Sequence, residues 1–563
     1  MLKKGLLIGL MSLSIFLGIA NAVHAQDDMV FDEDGGDGAA AAPAAPAVVA
    51  PPPKPSGPPS EALANALRFY QQERFAQASV QLQRIVAGET GDEPANIQKA
   101  QFFLGKCYYH LGFFQAALGV FEEIALMSTG HIYFHSTLQW LAQLSRELPE
   151  PAGIIGLVGR YGDSLQVLNE FKKPETKDLY NELLYLMGRY WYQMGEFSQA
   201  RNFFMNIDPG SPLKVSGEFF TGITFVRQRK ARPASKAFLK IVDRYDGKLF
   251  LDAEEKRFLN LAWLSLARIY YSTKHWDSAI AAWNKIPQSS EYYLDAQFEE
   301  SWAYFQIDNY SRALGNIHTL NSPYFEESFF PESVILKAVI FFDECLYDDA
   351  KLVVNEFRQD FEPIQSKLSD ALKQFNDNPQ FFAFLRDLRA AVDNGELKDI
   401  SKNTILGLPR EVVFIIKGAL GDRTLIRNLK YVAQLDKESE KLQKMPAQFV
   451  SSAAGERILQ DIETAKSVAI DNTGNLARLR YKRLLKELQD FLNQTTRVEI
   501  EILKALRGEL EVEIATGEES KRLDAEQAKI SSDGEHVIWP FRGEYWRDEL
   551  GYYRQPVTRH CGR

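Results

Sequence analysis

One alanine-centred frame recurs along this chain, and few folds can satisfy it. LGKCYYHLGFFQAALGVFEEI (104–124) aligns with MGRYWYQMGEFSQARNFFMNI (187–207). Gly105, Tyr108, Tyr109, Gly112, Phe114, Ala117, Phe121 and Ile124 fall on Gly188, Trp191, Tyr192, Gly195, Phe197, Ala200, Phe204 and Ile207. The frame returns in YYSTKHWDSAIAAWNKI (270–286), YFQIDNYSRALGNIHTL (304–320) and FFDECLYDDAKLVVNEF (341–357). LRFYQQERFAQASVQLQRIV (67–86) is an earlier copy and GITFVRQRKARPASKAFLKI (222–241) a weaker one. Each copy reads as a helix with large aromatics on one face, a short turn with Gly or a charged residue, and a second helix. That second helix begins with a small residue where the two helices cross. A single hairpin of this kind cannot bury its faces, so hairpins must stack. No segment reads as a large sheet, and the expected class is all-α.

The distances between copies carry a family resemblance. Ala200 to Ala234 and Ala279 to Ala313 each span about 34 residues, the period of a known helix-turn-helix repeat. In period and pattern the stretch 61–360 resembles the tetratricopeptide repeat. About seven to eight repeats are expected, one of them degenerate. The intervals Ala78 to Ala117, Ala234 to Ala279 and Ala313 to Ala350 are longer than this period, so inter-repeat loops take up the insertions. The interval from Ala117 to Ala200 is more than twice the period. It leaves room for a degenerate unit around HSTLQWLAQLSREL and IIGLVGRYG. The resemblance implies that first helices line a concave face. It would then carry Lys106, Arg189 and Arg268, with Tyr109, Tyr192 and Tyr271 three positions on, as a basic and phenolic row. Such a row suits extended peptides bearing carboxylates. The alternative is that the tyrosines pack between repeats while the cations extend to water.

The regions flanking the repeats read differently. Lys3 and Lys4, an apolar run over 5–20, and Val23-His24-Ala25 read as a signal peptide over 1–25, cleaved after Ala25. Periplasmic export is the expectation. No later stretch reaches the roughly 18 uninterrupted apolar residues of a spanning helix. Residues 26–60 are an acidic, then Ala/Pro-rich linker. Removing two lysines takes the net charge from −10 to −12, which disfavours nucleic acid as a partner. Of the three cysteines, Cys107 reads as a buried small hydrophobe, while Cys345 and Cys561 could pair in an oxidising compartment. Beyond the repeats, LRDLRAAV, REVVFIIKGAL and TLIRNLKYVAQL read as amphipathic helices of a C-terminal region, 361–530. The region is expected to end in a long pair, 445–470 and 476–529, joined by a turn at DNTGN (471–475). Leu484, Phe491, Val498, Ala505 and Val512 recur at every seventh position. That pattern suits an antiparallel, coiled-coil-like hairpin able to self-associate, or a helix packed along the repeats.

The chemistry-bearing motifs are few. There is no phosphate-cradling loop, H-E-x-x-H or G-x-S-x-G. His131 and His135 stand four apart without further metal ligands nearby. No catalytic, metal or cofactor site is expected. The tail, 531–563, contains WPFRGEYWRDELGYY, in which six of fifteen residues are aromatic: Trp539, Phe541, Tyr545, Trp546, Tyr552 and Tyr553. So many rings should cover something. They read as a clasp on the chain's own surface or as a docking peptide for a partner. Signal peptide, spacer and repeats together resemble envelope-associated tetratricopeptide proteins, including those of gliding-motility machinery. The expectation is a non-enzymatic scaffold holding other envelope proteins. The alternative is an accessory of cell-wall or outer-membrane assembly that binds peptidoglycan.

Overall fold

Ala78, Ala117, Ala200, Ala234, Ala279, Ala313 and Ala350 are each 0 % exposed in the computed structural model. The structure describes residues 58–325, 329–375, 377–398, 403–420, 423–516 and 544–560. The signal-peptide reading, most of the linker, Trp539, Phe541 and Cys561 therefore lie outside the described residues. Each buried alanine opens the second helix of a hairpin. The pairs are α1 (Glu61–Gln71) with α2 (Phe75–Val86) and α3 (Pro94–His110) with α4 (Phe114–Met127). Next come α5 (Phe134–Glu147) with the short α6 (Ile154–Gly159), and α7 (Lys177–Gln193) with α8 (Phe197–Met205). α9 (Lys214–Arg227) precedes α10 (Ala231–Tyr245), and α11 (Ala253–Ser272) pairs with α12 (Trp276–Trp283). The last two pairs are α13 (Tyr293–Gln306) with α14 (Tyr310–Leu320), and α15 (Pro331–Asp343) with α16 (Tyr347–Lys373). Past the hairpins come α17 (Asn378–Asp393), α18 (Arg410–Leu420), α19 (Arg423–Gln443), the one-turn α20 (Ala447–Val450) and α21 (Ala453–Thr516). The chain is thus all-α in its described residues, apart from a short antiparallel ladder, Thr404–Ile405 with Leu408–Pro409.

The close crossing has a measurable cause. A Cβ placed on Gly105 would lie 2.6 Å from the Phe121 ring, and one on Gly188 would lie 2.5 Å from Phe204. The phenyl ring of the second helix therefore occupies the space that a side chain on the first would need. The turns repeat as strictly. Five positions before each buried alanine the backbone is left-handed: at Glu73, Gly112, Gly195, Arg229, Lys274, Asp308 and Cys345. Each turn closes with the same backbone bond, such as His275 N–H to Tyr270 carbonyl at 2.8 Å and Phe113 N–H to Tyr108 carbonyl at 2.9 Å. This ties off helix-end carbonyls in a Schellman-type cap. Only two of the seven positions are glycine, and an L residue there is strained. Lys274→Gly is accordingly expected to stabilise the chain by about 0.5–1 kcal/mol in chemical denaturation.

The chain divides into two compact units: Asp28–Ala237 with Arg423–Asn475, and Phe238–Asp422 with Leu476–Arg563. In the first, α19 packs on the early hairpins. Its Glu438 accepts the Gln115 N–H at 3.1 Å, so a carboxylate 323 residues away caps α4, whose own N-cap residue is Phe113. Tyr431 adds a 2.7 Å bond to Gln115 Oε1. In the second unit, Tyr481 donates to the Leu368 carbonyl at 2.8 Å, and Arg358 pairs with Glu499 at 2.6 Å.

α21 corrects one expectation. It runs 64 residues without a break through 471–475, so the predicted turn and its antiparallel helical hairpin do not form. DNTGN is a turn sequence by propensity, but Thr473 is 0 % exposed and its hydroxyl bonds back to the Ala469 carbonyl at 2.6 Å. That bond satisfies the hydroxyl within the helix, and burial outweighs the modest propensity of Gly and Asn. The heptad face is real only in part. Leu484 and Val498 are buried, Phe491 and Ala505 are half-buried, and Val512 is 60 % exposed.

Candidate functional site

The six residues of the expected basic and phenolic row divide between the two units, and each set has its own surroundings. Lys106, Tyr109, Arg189 and Tyr192 belong to the first unit, Arg268 and Tyr271 to the second. Arg189 is buried and ion-paired with Glu150, which also takes Arg427 at 3.0 Å. Arg268 is buried too, and its guanidinium grips Glu299 with Nε at 2.9 Å and Nη2 at 2.6 Å. Both guanidinium groups are thus engaged by carboxylates of the fold. Tyr192 packs against Phe197 and Phe220, and Tyr271 against Trp276 and Trp283. These two tyrosines sit in the hairpin interior.

Lys106 has different surroundings. Its ammonium lies 4.6 Å from the Phe103 ring, 4.8 Å from Tyr70 and 5.3 Å from Trp140. These rings come from α1, α3 and α5, three successive first helices. Half-burial lowers the Lys106 pKa from its ordinary value. Tyr109 meets the edge of Trp140 at 5.3 Å, and exposed His110 stacks on Phe75 at 4.6 Å. A cation held over ring faces, with rings and an imidazole around it, can bind both an apolar side chain and an anion. Tyr70, Phe103, His110 and Trp140 were not singled out from the sequence. Tyr70 and Phe103 occupy first helices that were visible there, but Trp140 belongs to the degenerate hairpin, whose register the frame leaves open.

The described tail, 544–560, lies on the second unit. Tyr293 donates its hydroxyl to the Leu550 carbonyl at 3.0 Å, and Gly551 N–H donates to Thr319 Oγ1 at 2.9 Å. Gln555 N–H reaches the Ser311 carbonyl at 3.1 Å, and His560 N–H reaches the Glu344 carbonyl at 2.9 Å. Tyr545 stacks on His318 at 4.5 Å, with Tyr553 edge-on to the same imidazole at 4.9 Å. The described tail aromatics divide: Tyr545 and Tyr553 pack on His318, and the other two face outward. Trp546 is 54 % exposed and Tyr552 70 %, while the side chain that sinks is Leu550, at 3 %. A main chain that supplies most of the bonds leaves some side chains facing out, so aromatic content alone did not identify the anchor.

Beneath this segment α13 and α14 enclose a carboxyl. Glu300 is 1 % exposed and receives Asn284 Nδ2 at 2.7 Å and Asn316 Nδ2 at 2.9 Å. Burial pushes its pKa up to about 7, and burial does the same for Glu438. The folded pKa exceeds the unfolded one in both cases. Stability from these groups is therefore complete below about pH 4.5 and lost as pH rises through about 7. Each should contribute on the order of 1 kcal/mol per pH unit across that window. Urea midpoints are expected to rise from pH 7.5 to pH 5, with Glu300→Gln and Glu438→Gln flattening that slope.

Among the described residues no group of three or more His, Cys, Asp or Glu is placed to hold a metal ion. His131 is buried, accepts the Tyr133 N–H at 3.1 Å on Nδ1, and has its pKa lowered to about 4 by burial. Cys107 is a free buried thiol and Cys345 is disulfide-bonded. No described helix is long and apolar enough to cross a membrane.

No protein-family model matches the chain, and no curated protein matches it. Solved structures do. The apo form of RapI is 14 % identical with a TM-score of 0.31, covering 56 % of this chain and 91 % of RapI. A tetratricopeptide repeat protein from Parabacteroides merdae is 13 % identical with a TM-score of 0.23, covering 53 % and 91 %. A Rap protein complexed with competence and sporulation factor is 12 % identical with a TM-score of 0.22, covering 72 % and 97 %. The helical-hairpin architecture of this chain stands on its own geometry.

Proposed function

We propose that this protein is a non-enzymatic scaffold that captures other proteins through its helical hairpins. The observation that carries the reading is the Lys106 patch. Three successive first helices contribute Tyr70, Phe103 and Trp140 around one half-buried ammonium. Such a surface suits an extended partner segment that presents a carboxylate beside an apolar or aromatic side chain. Stacked hairpins offer long, regular surfaces, and function on them resides in such sites rather than in the fold. The signal-peptide-like stretch 1–25 and the Pro-rich spacer support export to the periplasm. There the partners would be envelope proteins, with gliding-motility machinery the candidate complex by resemblance.

Crosslinking in the native host, with mass spectrometry on the full chain, tests this reading. Envelope proteins should be recovered with the wild type and be reduced at least tenfold with Lys106→Glu, at unchanged thermal stability. A chain that crosslinks to nothing, or to the same partners after Lys106→Glu, rules the patch out. The exposed rings of Trp546 and Tyr552 favour one second reading, stacking on glycan strands of peptidoglycan. Purified peptidoglycan separates the two, because the scaffold reading expects no saturable binding to it.

A further inference from the structure

The most exposed large apolar side chains described in this protein stand next to each other. Leu249 and Phe250, in the loop from α10 to α11, are each 92 % exposed. The loop falls in the long interval from Ala234 to Ala279, so the repeat frame does not require it. Its two ends are nonetheless fixed. Tyr245, at the end of α10, is buried, its carbonyl accepts the Lys248 N–H at 3.2 Å, and Gly247 turns the chain with a φ of 77°. On the far side Asp252 and Glu255 form a capping box at the start of α11. With both ends tied, the loop holds Leu249 and Phe250 out in water.

The charge beside this tip is opposite to that of the chain as a whole. Residues 229–248 hold seven Lys or Arg against two Asp, an excess of five positive charges in a protein of net charge −10. Arg232, Lys236, Lys240 and Arg244 follow one another at intervals of four along α10 and so lie on one side of it. Arg232, Lys236 and Lys240 are exposed, as is Lys248 next to the tip. The Lys248 ammonium lies 4.9 Å from the Tyr245 ring. The acids across the loop are already engaged: Asp252 accepts the Glu255 N–H at 2.8 Å, and Glu254 pairs with Arg257 at 3.0 Å. A surface with anions outside and hydrocarbon beneath matches this order of groups. Long cationic side chains reach its phosphates while the apolar tip passes below them. An acidic surface alone would leave Leu249 and Phe250 in water.

We propose that the α10–α11 corner is a membrane-contact site, at which the basic side of α10 rests on anionic phospholipid headgroups and Leu249 and Phe250 insert beneath them. The contact is a peripheral one, made by the side chains of one helix and one loop. Each Lys or Arg near an anionic surface adds about fivefold to binding, and salt screens that part. Burying an apolar side chain adds roughly tenfold, and salt does not screen it. The two contributions are thereby separable by experiment. The site shares no residue with the Lys106 patch, so capture of protein partners and attachment to a lipid surface are independent.

The test uses the purified full chain and sedimentation with vesicles of phosphatidylglycerol mixed with phosphatidylcholine, against phosphatidylcholine alone. The mixed vesicles should be bound at least tenfold more tightly. Leu249→Ser with Phe250→Ser should weaken that binding at least tenfold at low and high salt alike. Lys240→Glu with Lys248→Glu should weaken it at least tenfold at low salt, and the effect should shrink at high salt. These four positions are exposed, so helical circular dichroism and the thermal midpoint should stay unchanged. Lys106→Glu should bind vesicles as the wild type does, which separates this contact from the partner patch. Hydrogen exchange at 246–251 should slow at least fivefold on the mixed vesicles, which distinguishes the loop from any binding by the apolar stretch 5–20. Wild-type affinity in the double-serine chain, or unchanged exchange at 246–251, overturns the insertion. Equal binding to phosphatidylcholine alone overturns the role of the basic face. No binding to either vesicle overturns the site and points instead to an apolar protein pocket rimmed by acids.

Discussion

Glu299→Leu is expected to destabilise the second unit by about 3–5 kcal/mol, because it removes a carboxylate that holds a buried guanidinium through two nitrogens. Arg268 is 6 % exposed and Glu299 holds it through two nitrogens. The same carboxylate accepts the Trp283 indole N–H at 3.2 Å, so a second buried donor loses its acceptor. Asp295 lies close enough to feel both charges, and its pKa is raised to about 6 by burial. It is the group that can soften the loss, and Asp295→Asn with Glu299→Leu should be harsher still. The double variant Arg268→Met with Glu299→Leu removes the charge along with its partner and should recover most of the stability. Hydrogen exchange over α11 and α13 reads the effect where it arises. A Glu299→Leu chain with unchanged protection there would show that the pair contributes nothing.

Phe204→Ala should cost about 3–5 kcal/mol in the first unit. The ring is 0 % exposed, stacks on Phe220 at 5.0 Å and occupies the space facing Gly188. Removing it leaves a void between two helices that a rigid crossing cannot close. The partner substitution makes the argument specific. Gly188→Ala should improve the helix by about 1 kcal/mol on propensity alone, yet its methyl would stand 2.5 Å from the Phe204 ring. It is therefore expected to destabilise the wild type and to stabilise the Phe204→Ala chain. The reversal of sign between backgrounds, measured by urea denaturation followed with hydrogen exchange on α7 and α8, is the test. Equal effects in both would mean that ring and glycine are not in contact.

Much of this packing was legible as spacing. Ala117 and Ala200 stood out as the small residues of the crossing, with Gly105, Gly188, Phe121 and Phe204 in register around them. The left-handed turn was legible only where Gly112 and Gly195 mark it. At Glu73, Arg229, Lys274, Asp308 and Cys345 the same conformation is imposed by the helix-end hydrogen bonds on residues that all carry a Cβ. DNTGN misled because its composition reports local preference, and buried Thr473 and Gly474 answer to their surroundings instead. In the tail, aromatic content pointed to six rings; of those described, Tyr545 and Tyr553 pack on His318 while Trp546 and Tyr552 are exposed, and the side chain that sinks is Leu550.

What the sequence determined by itself is the hairpin: a helix, a tight turn and a second helix, with alanine at the crossing. All of those interactions are local, so one period of the chain contains both sides of each contact. The tertiary structure decided the contacts that join one hairpin to another element. It engaged Arg189 and Arg268 with carboxylates 39 and 31 residues away on neighbouring elements, and left Lys106 among aromatic rings. It also brought Gly551 to Thr319, 232 residues apart, on a helix face kept bare by Gly315. A repeat pattern records what every hairpin must share, whereas these contacts depend on which hairpins become neighbours, and only the folded chain fixes that.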